Sequence, residues 1–103
     1  MPTLSAERIR HQVVFTLKHE TGSPEEADFI AAITALSAIP GVEAFELMRE
    51  VSPKNSYVYA LTMEFADRAA YDAYNEHPQH AGFVENRWDA EVTDFLEIDT
   101  VAR

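Results

Sequence analysis

The stretch Tyr57-Val58-Tyr59-Ala60-Leu61-Thr62-Met63-Glu64-Phe65 decides the fold. Tyr57, Tyr59, Leu61, Met63 and Phe65 alternate with Val58, Ala60, Thr62 and Glu64, the period-two pattern of a β-strand. Both sets are largely apolar, so both faces of this strand are expected to be covered. The polar loop Ser52-Pro53-Lys54-Asn55-Ser56 precedes it with turn-forming residues. Upstream of that loop, a strand is predicted over Val42 to Val51, with Phe45, Leu47 and Val51 on one face.

Further towards the start, His11 to Lys18 reads as the first strand, with His11, Val13, Phe15 and Leu17 on one side. A helix follows with an explicit beginning. Ser23 is its N-cap, Pro24 takes the first helical position, and Glu26 completes a capping box. Ala27, Phe29, Ile30, Ile33 and Leu36 form its apolar stripe, and Pro40-Gly41 ends it. Downstream of the central strand, Asp67 caps a second helix carrying Ala70, Tyr71, Ala73 and Tyr74. A short helical segment is predicted through Phe83, Val84 and Trp88. A final strand covers about Glu91 to Thr100, with Val92, Leu96 and Ile98 on one face and Phe95, Glu97 and Asp99 on the other.

The resulting order, β-α-β-β-α-β, predicts an α+β, ferredoxin-like fold: a four-stranded antiparallel sheet with helices on one face. The helix stripes cover one apolar face of that sheet. The other face, read as apolar and aromatic, is too large a patch for a soluble monomer. A two-fold homodimer stacking sheet on sheet, a dimeric α/β barrel, is the simplest solution.

Composition narrows the function classes. The chain has 103 residues, which predicts a single domain over 1–103. It contains no cysteine, so thiolate chemistry, disulfides and Cys-ligated zinc are excluded, as suits a reducing cytoplasm. Net charge is -10, which argues against nucleic-acid partners. No apolar run reaches the roughly 20 residues that span a bilayer, and Met1 to Arg10 lacks the apolar centre of a signal peptide. The acidic excess reads as a solvated surface, with Glu25, Glu26 and Asp28 complementing a helix N-terminus.

The chemistry-bearing stretch is Tyr74-Asn75-Glu76-His77-Pro78-Gln79-His80-Ala81-Gly82-Phe83. It brings one phenol and two imidazoles together. Proline forces the residue before it out of the helical region, so the helix carrying Tyr71 and Tyr74 should end or kink at His77. The turn can then aim polar tips into a cavity, and imidazole is the side chain suited to moving protons near neutral pH. The plainer alternative is a polar helix-end turn with exposed histidines. His11 likewise reads either as a satisfied core residue or as a further imidazole of the site.

These features resemble the stress-responsive α/β-barrel domain (Dabb) family of the dimeric α/β-barrel group. The resemblance rests on His11 ahead of Val13-Val14-Phe15 and Lys18, on Ile39-Pro40-Gly41-Val42, on Tyr59 to Phe65, and above all on His77-Pro78-x-His80 followed by Phe83. It covers nearly the whole chain. One branch of the family is enzymatic, the plant polyketide cyclase that makes olivetolic acid. The resemblance to that branch implies Tyr74 and His80 as an essential pair, with His11 as a further cavity histidine.

Three functional readings follow. In the first, the protein is a cofactor-free and metal-free acid-base enzyme. His80 is its general base, Tyr74 donates to a developing oxyanion, and His11 orients substrate or returns the proton. Intramolecular aldol closure of a poly-β-keto compound suits that equipment. In the second, the dimer carries a small apolar ligand or is a stress-associated structural assembly, and the aromatic residues are simply core. The third is a metal site from His11, His77 and His80, against which no Asp or Glu is evidently placed to orient the imidazoles. His77 is expected to be peripheral to the cavity.

Overall fold

The computed structural model describes residues 7–103. The opening segment, on which the reading of a missing signal peptide partly rests, lies outside the described residues. The strands are β1 (Ile9–Leu17), β2 (Glu43–Arg49), β3 (Tyr59–Phe65) and β4 (Val92–Thr100). They form one sheet in the order β2-β3-β1-β4, every neighbouring pair antiparallel. This is the ferredoxin-like α+β fold that the element order predicts. Among the described residues no helix is long and apolar enough to cross a membrane.

Helix α1 (Pro24–Thr34) follows β1 and tightens into a 3₁₀ turn at Ala35–Ala38. Ser23 accepts from the Glu26 amide, as the capping motif predicts. The return bond differs by one residue: the Glu26 carboxylate accepts from the Gly22 amide at 2.8 Å. The same carboxylate accepts from the Tyr59 hydroxyl, tying the start of α1 to β3. Burial first, and then that carboxylate, push the Tyr59 phenol up to about 12. Phe29, Ile33 and Leu36 are buried, whereas Ala27 faces solvent.

The central alternation holds, but β3 begins at Tyr59 rather than Tyr57. The Asn55 side chain captures the Tyr57 amide, so the regular ladder starts two residues later. β2 is shorter at both ends than predicted, and within it the register shifts between Glu43 and Glu46, where Ala44 has a φ of 50°. Val51, placed on its apolar face by sequence, lies beyond the strand and is 81% exposed.

The second helical layer is broken where the His-Pro pair predicts. α2 (Arg68–Glu76), capped by Asp67 on the Ala70 amide, stops at His77. α3 (Pro78–Phe83) starts at once, widens into a π turn at Val84–Trp88, and ends in the single turn α4 (Asp89–Glu91). A π turn inside helical structure is uncommon and often lies beside a functional site.

The core sits between sheet and helices. Phe15, Phe29, Ile33, Met63 and Phe65 are its most deeply buried members. The opposite sheet face departs from expectation. Odd-numbered β1 residues pair with odd-numbered β4 residues, Phe15 with Phe95 and His11 with Asp99, so Phe95, Glu97 and Asp99 lie on the helix side. The outer face therefore carries no strand aromatic. It presents Gln12, Val14, Ala60, Thr62, Leu96 and Ile98, with Leu96 and Ile98 about half exposed.

Candidate functional site

The β1 alternation that buries Val13 and Phe15 also carries His11 into the space under α2 and α3. The two tyrosines of α2, three residues apart, lie on one helix face and are both buried. His80 follows from the restart of the helix after Pro78. Together these elements enclose a cavity of about 300 Å³. His11, Tyr74 and His80 all line it, and His77 does not. The cavity walls are apolar side chains from β1, β3, β4, α1 and its 3₁₀ turn, α3 and the π turn, among them Leu36, Leu61, Phe83 and Trp88.

His77 has a different position and task. Its extended backbone caps the end of α2 and the start of α3, and its Nδ1 accepts from the Gln79 amide at 3.1 Å.

His80 packs against Tyr74, with ring centroids 4.4 Å apart. Its Nδ1 lies 3.1 Å from the main-chain oxygen of Asn75. A carbonyl oxygen only accepts, so Nδ1 carries the proton and Nε2 is the basic nitrogen in the neutral ring. Burial is the main influence on this imidazole and holds its pKa below the usual value. The histidines at 11 and 77 add to the effect, and the Asn75 bond and Glu97 oppose it. Burial, with Glu97 second, raises the Tyr74 phenol well above its ordinary value, so it remains a hydrogen-bond donor throughout the physiological range.

At the other end, His11 Nδ1 lies 2.6 Å from Asp99 and 3.8 Å from Glu97. The Tyr71 hydroxyl donates to Asp99 at 2.8 Å, with Glu97 a longer 3.3 Å away. Burial and the Asp99 carboxylate raise the Tyr71 phenol, which stays protonated. Asp99 only accepts, so it receives from both Tyr71 and His11, which fixes His11 with its proton on Nδ1.

This corrects the expectation that no carboxylate is placed to orient the histidines. Tyr71, Glu97 and Asp99 are the site residues that sequence reasoning missed. The sequence puts Glu97 and Asp99 on the face of Phe95, but which face of β4 turns inward is set by its pairing with β1. The three-histidine metal reading changes with it. The compact group of possible ligand atoms comprises His11, Glu97 and Asp99, all within 4.8 Å of one another, and not the three histidines. Asp99 is engaged by two donors in this arrangement.

The stress-responsive A/B barrel domain model matches residues 9–102. The chain belongs to this family. Among solved structures, a Dabb family protein with a ferredoxin-like fold from Mesorhizobium loti is 54% identical, with a TM-score of 0.91 over 94% of this chain and 98% of that one. Two more distant structures share the fold. The hydroxynitrile lyase from Passiflora edulis is 16% identical, with a TM-score of 0.82 over 96% of each chain. A dimeric ferredoxin-like protein of unknown function from Thermobifida fusca is 20% identical, with a TM-score of 0.73 over 95% of this chain and 93% of that one. No curated protein matches the chain. Within the Dabb family the His77-Pro78-x-His80 element therefore has a defined local meaning here: the first histidine punctuates two helices, and the second lines the cavity.

Proposed function

We propose that this Dabb protein is a homodimeric, cofactor-independent acid-base enzyme acting on a small carbonyl compound, of the polyketide cyclase type. One observation carries the reading. A half-buried imidazole with a free Nε2 and a depressed pKa lies against a buried phenol that keeps its proton, and both line one cavity. His80 Nε2 removes the proton next to a carbonyl. The Tyr74 hydroxyl donates to the oxygen as negative charge gathers there. His11, held by Asp99, orients the substrate. General acid-base catalysis is worth about 10²–10⁴ in rate, and one oxyanion donor about 10²–10³, which suits an intrinsically easy step such as intramolecular aldol closure. The Passiflora edulis hydroxynitrile lyase supports the reading in so far as lyase chemistry is hosted by the same fold.

The test is product analysis with a linear poly-β-keto thioester. Turnover by the parent protein and its loss in His80→Ala is the expected result. Equal product from both proteins removes His80 as the base.

The homodimer rests on the outer sheet face, where Val14, Ala60, Leu96 and Ile98 form an aliphatic strip that no helix of the described chain covers. The dimeric Thermobifida fusca neighbour supports it. Light scattering should give a dimer mass at micromolar concentration, and Leu96→Glu should shift it to the monomer.

A further inference from the structure

The ionisable side chains lining the cavity are unusual in sign. They are His11, His80, Tyr74, Glu97 and Asp89, with no lysine or arginine among them. Arg87, beside Trp88 in sequence, is committed elsewhere: it donates to Glu91 at 2.5 Å and to Asp28 at 2.8 Å. An anion entering this space would meet carboxylates without a fixed cation to offset them. Apart from the neutral amide of Asn75 the remaining wall is aliphatic and aromatic, so the body of a ligand is expected to be apolar. Glu97 also keeps free acceptor capacity. The Tyr71 proton goes to Asp99 at 2.8 Å, leaving Glu97 at 3.3 Å with half its side chain exposed. A half-exposed carboxylate with spare acceptor capacity, at the polar end of an apolar pocket, selects for a ligand hydroxyl. The volume, about 300 Å³, is at the lower end for ligand pockets and fits a molecule of one or two rings.

Resting on the acid-base reading of this cavity, we infer that its ligand is an uncharged, apolar molecule bearing a hydroxyl, and that Glu97 is the specificity residue that accepts the hydroxyl and turns carboxylates away. The substrate is thus a neutral ketone, thioester or enol, and a free acid is rejected. His80, kept neutral by its burial, offers such an acid no compensating charge.

Three probes of matched shape separate the contributions: 4-propylphenol, 4-propylanisole and 4-propylbenzoate. Binding is read by calorimetry and by the fluorescence of Trp88, the sole tryptophan and a cavity-lining residue. The phenol should bind most tightly and the benzoate at least about tenfold more weakly, since two like charges a few ångströms apart repel by more than that factor at a partly buried site. Glu97→Gln should bring the benzoate to within about threefold of the phenol, and Glu97→Lys should reverse their order. Benzoate binding as tight as phenol binding in the parent protein, an unchanged ratio in Glu97→Gln, or no binding by any probe overturns the inference. The measurement involves no turnover. A lost discrimination therefore leaves the acid-base reading standing, while intact discrimination in a protein that turns over no carbonyl substrate removes the acid-base reading alone.

Discussion

His80 and His11 line the same cavity, yet one imidazole is anchored to a main-chain carbonyl and the other to a carboxylate. The main-chain anchor fixes the tautomer of His80 without adding a full charge. Burial then dominates and weakens its basicity. The carboxylate anchor fixes the same tautomer of His11 while bringing Asp99, Glu97 and Tyr71 into one polar group at a half-open edge. The tyrosines follow their histidines. Tyr74 lines the cavity against His80, whereas the Tyr71 proton is spent on Asp99. Two His/Tyr pairs drawn from α2, α3 and β1 are thus set apart by their anchors: one is suited to moving a proton, the other to holding a shape and a charge.

The sharpest way to break this contrast is to delete the two hydroxyls separately. Tyr74→Phe should lower turnover by about 10²-fold with little change in stability, because it removes an oxyanion donor and keeps the ring. Tyr71→Phe should do the opposite, lowering stability by about 1 kcal/mol through the lost bond to Asp99 while turnover falls far less. Paired kinetics and thermal melts decide it, and equal turnover losses in the two variants would make the division between the pairs wrong.

The pH profile tests the anchor itself. His80 must be neutral to act as a base, and its pKa in the fold lies below the ordinary value of about 6.5. Activity should therefore hold from pH 8 through 6.5 and fall only at lower pH. The unfolded chain takes up this proton first as pH drops, so the same shift makes stability decline below about 6.5. An activity midpoint at or above 6.5 would contradict burial as the governing influence.

The smallest effect is expected at His77. His77→Ala removes an N-cap acceptor from α3 and should cost about 0.5–1 kcal/mol of stability, with turnover nearly unchanged. A large loss of turnover there would mean that α3 needs this cap to present His80.

The parts of this arrangement that were legible in sequence are those set by local rules. Ser23-Pro24 marked the start of α1, His77-Pro78 marked the break between α2 and α3, and the alternation through Phe65 marked the central strand. The expectation that His11, Tyr74 and His80 share one cavity rests on His11 ending the apolar face of the first strand, on the His77-Pro78 turn that redirects His80, and on the family resemblance. The acidic end was not legible, because it depends on which face of β4 turns inward. Leu96 and Ile98 look like core and Glu97 and Asp99 look like surface, yet pairing with β1 turns Glu97 and Asp99 to the helix side, where they stay partly exposed, and leaves Leu96 and Ile98 on the outer face. Long-range register can override local hydrophobicity in this way, because the pairing with β1 and not the strand's own pattern sets which face turns inward. The outer sheet face lacks the expected aromatic residues for the same reason, since Phe95 belongs to the side facing Trp88. The Ala44 irregularity in β2 had no local signal in its neighbours.

β4 is an edge strand, bonded to β1 alone, and it brings Glu97 and Asp99 to the cavity. His80 and Tyr74 come from helices on the other wall. Edge strands open in local fluctuations that leave the rest of a domain folded. The amides of β4 should therefore exchange with deuterium sooner than those of β1 and β3, and each such opening carries the acidic residues away while the imidazole and phenol of the helical wall stay in register. Occupancy of the hydroxyl-accepting end is then a matter of strand-opening frequency, and a ligand bridging both walls should slow exchange in β4 more than anywhere else in the sheet.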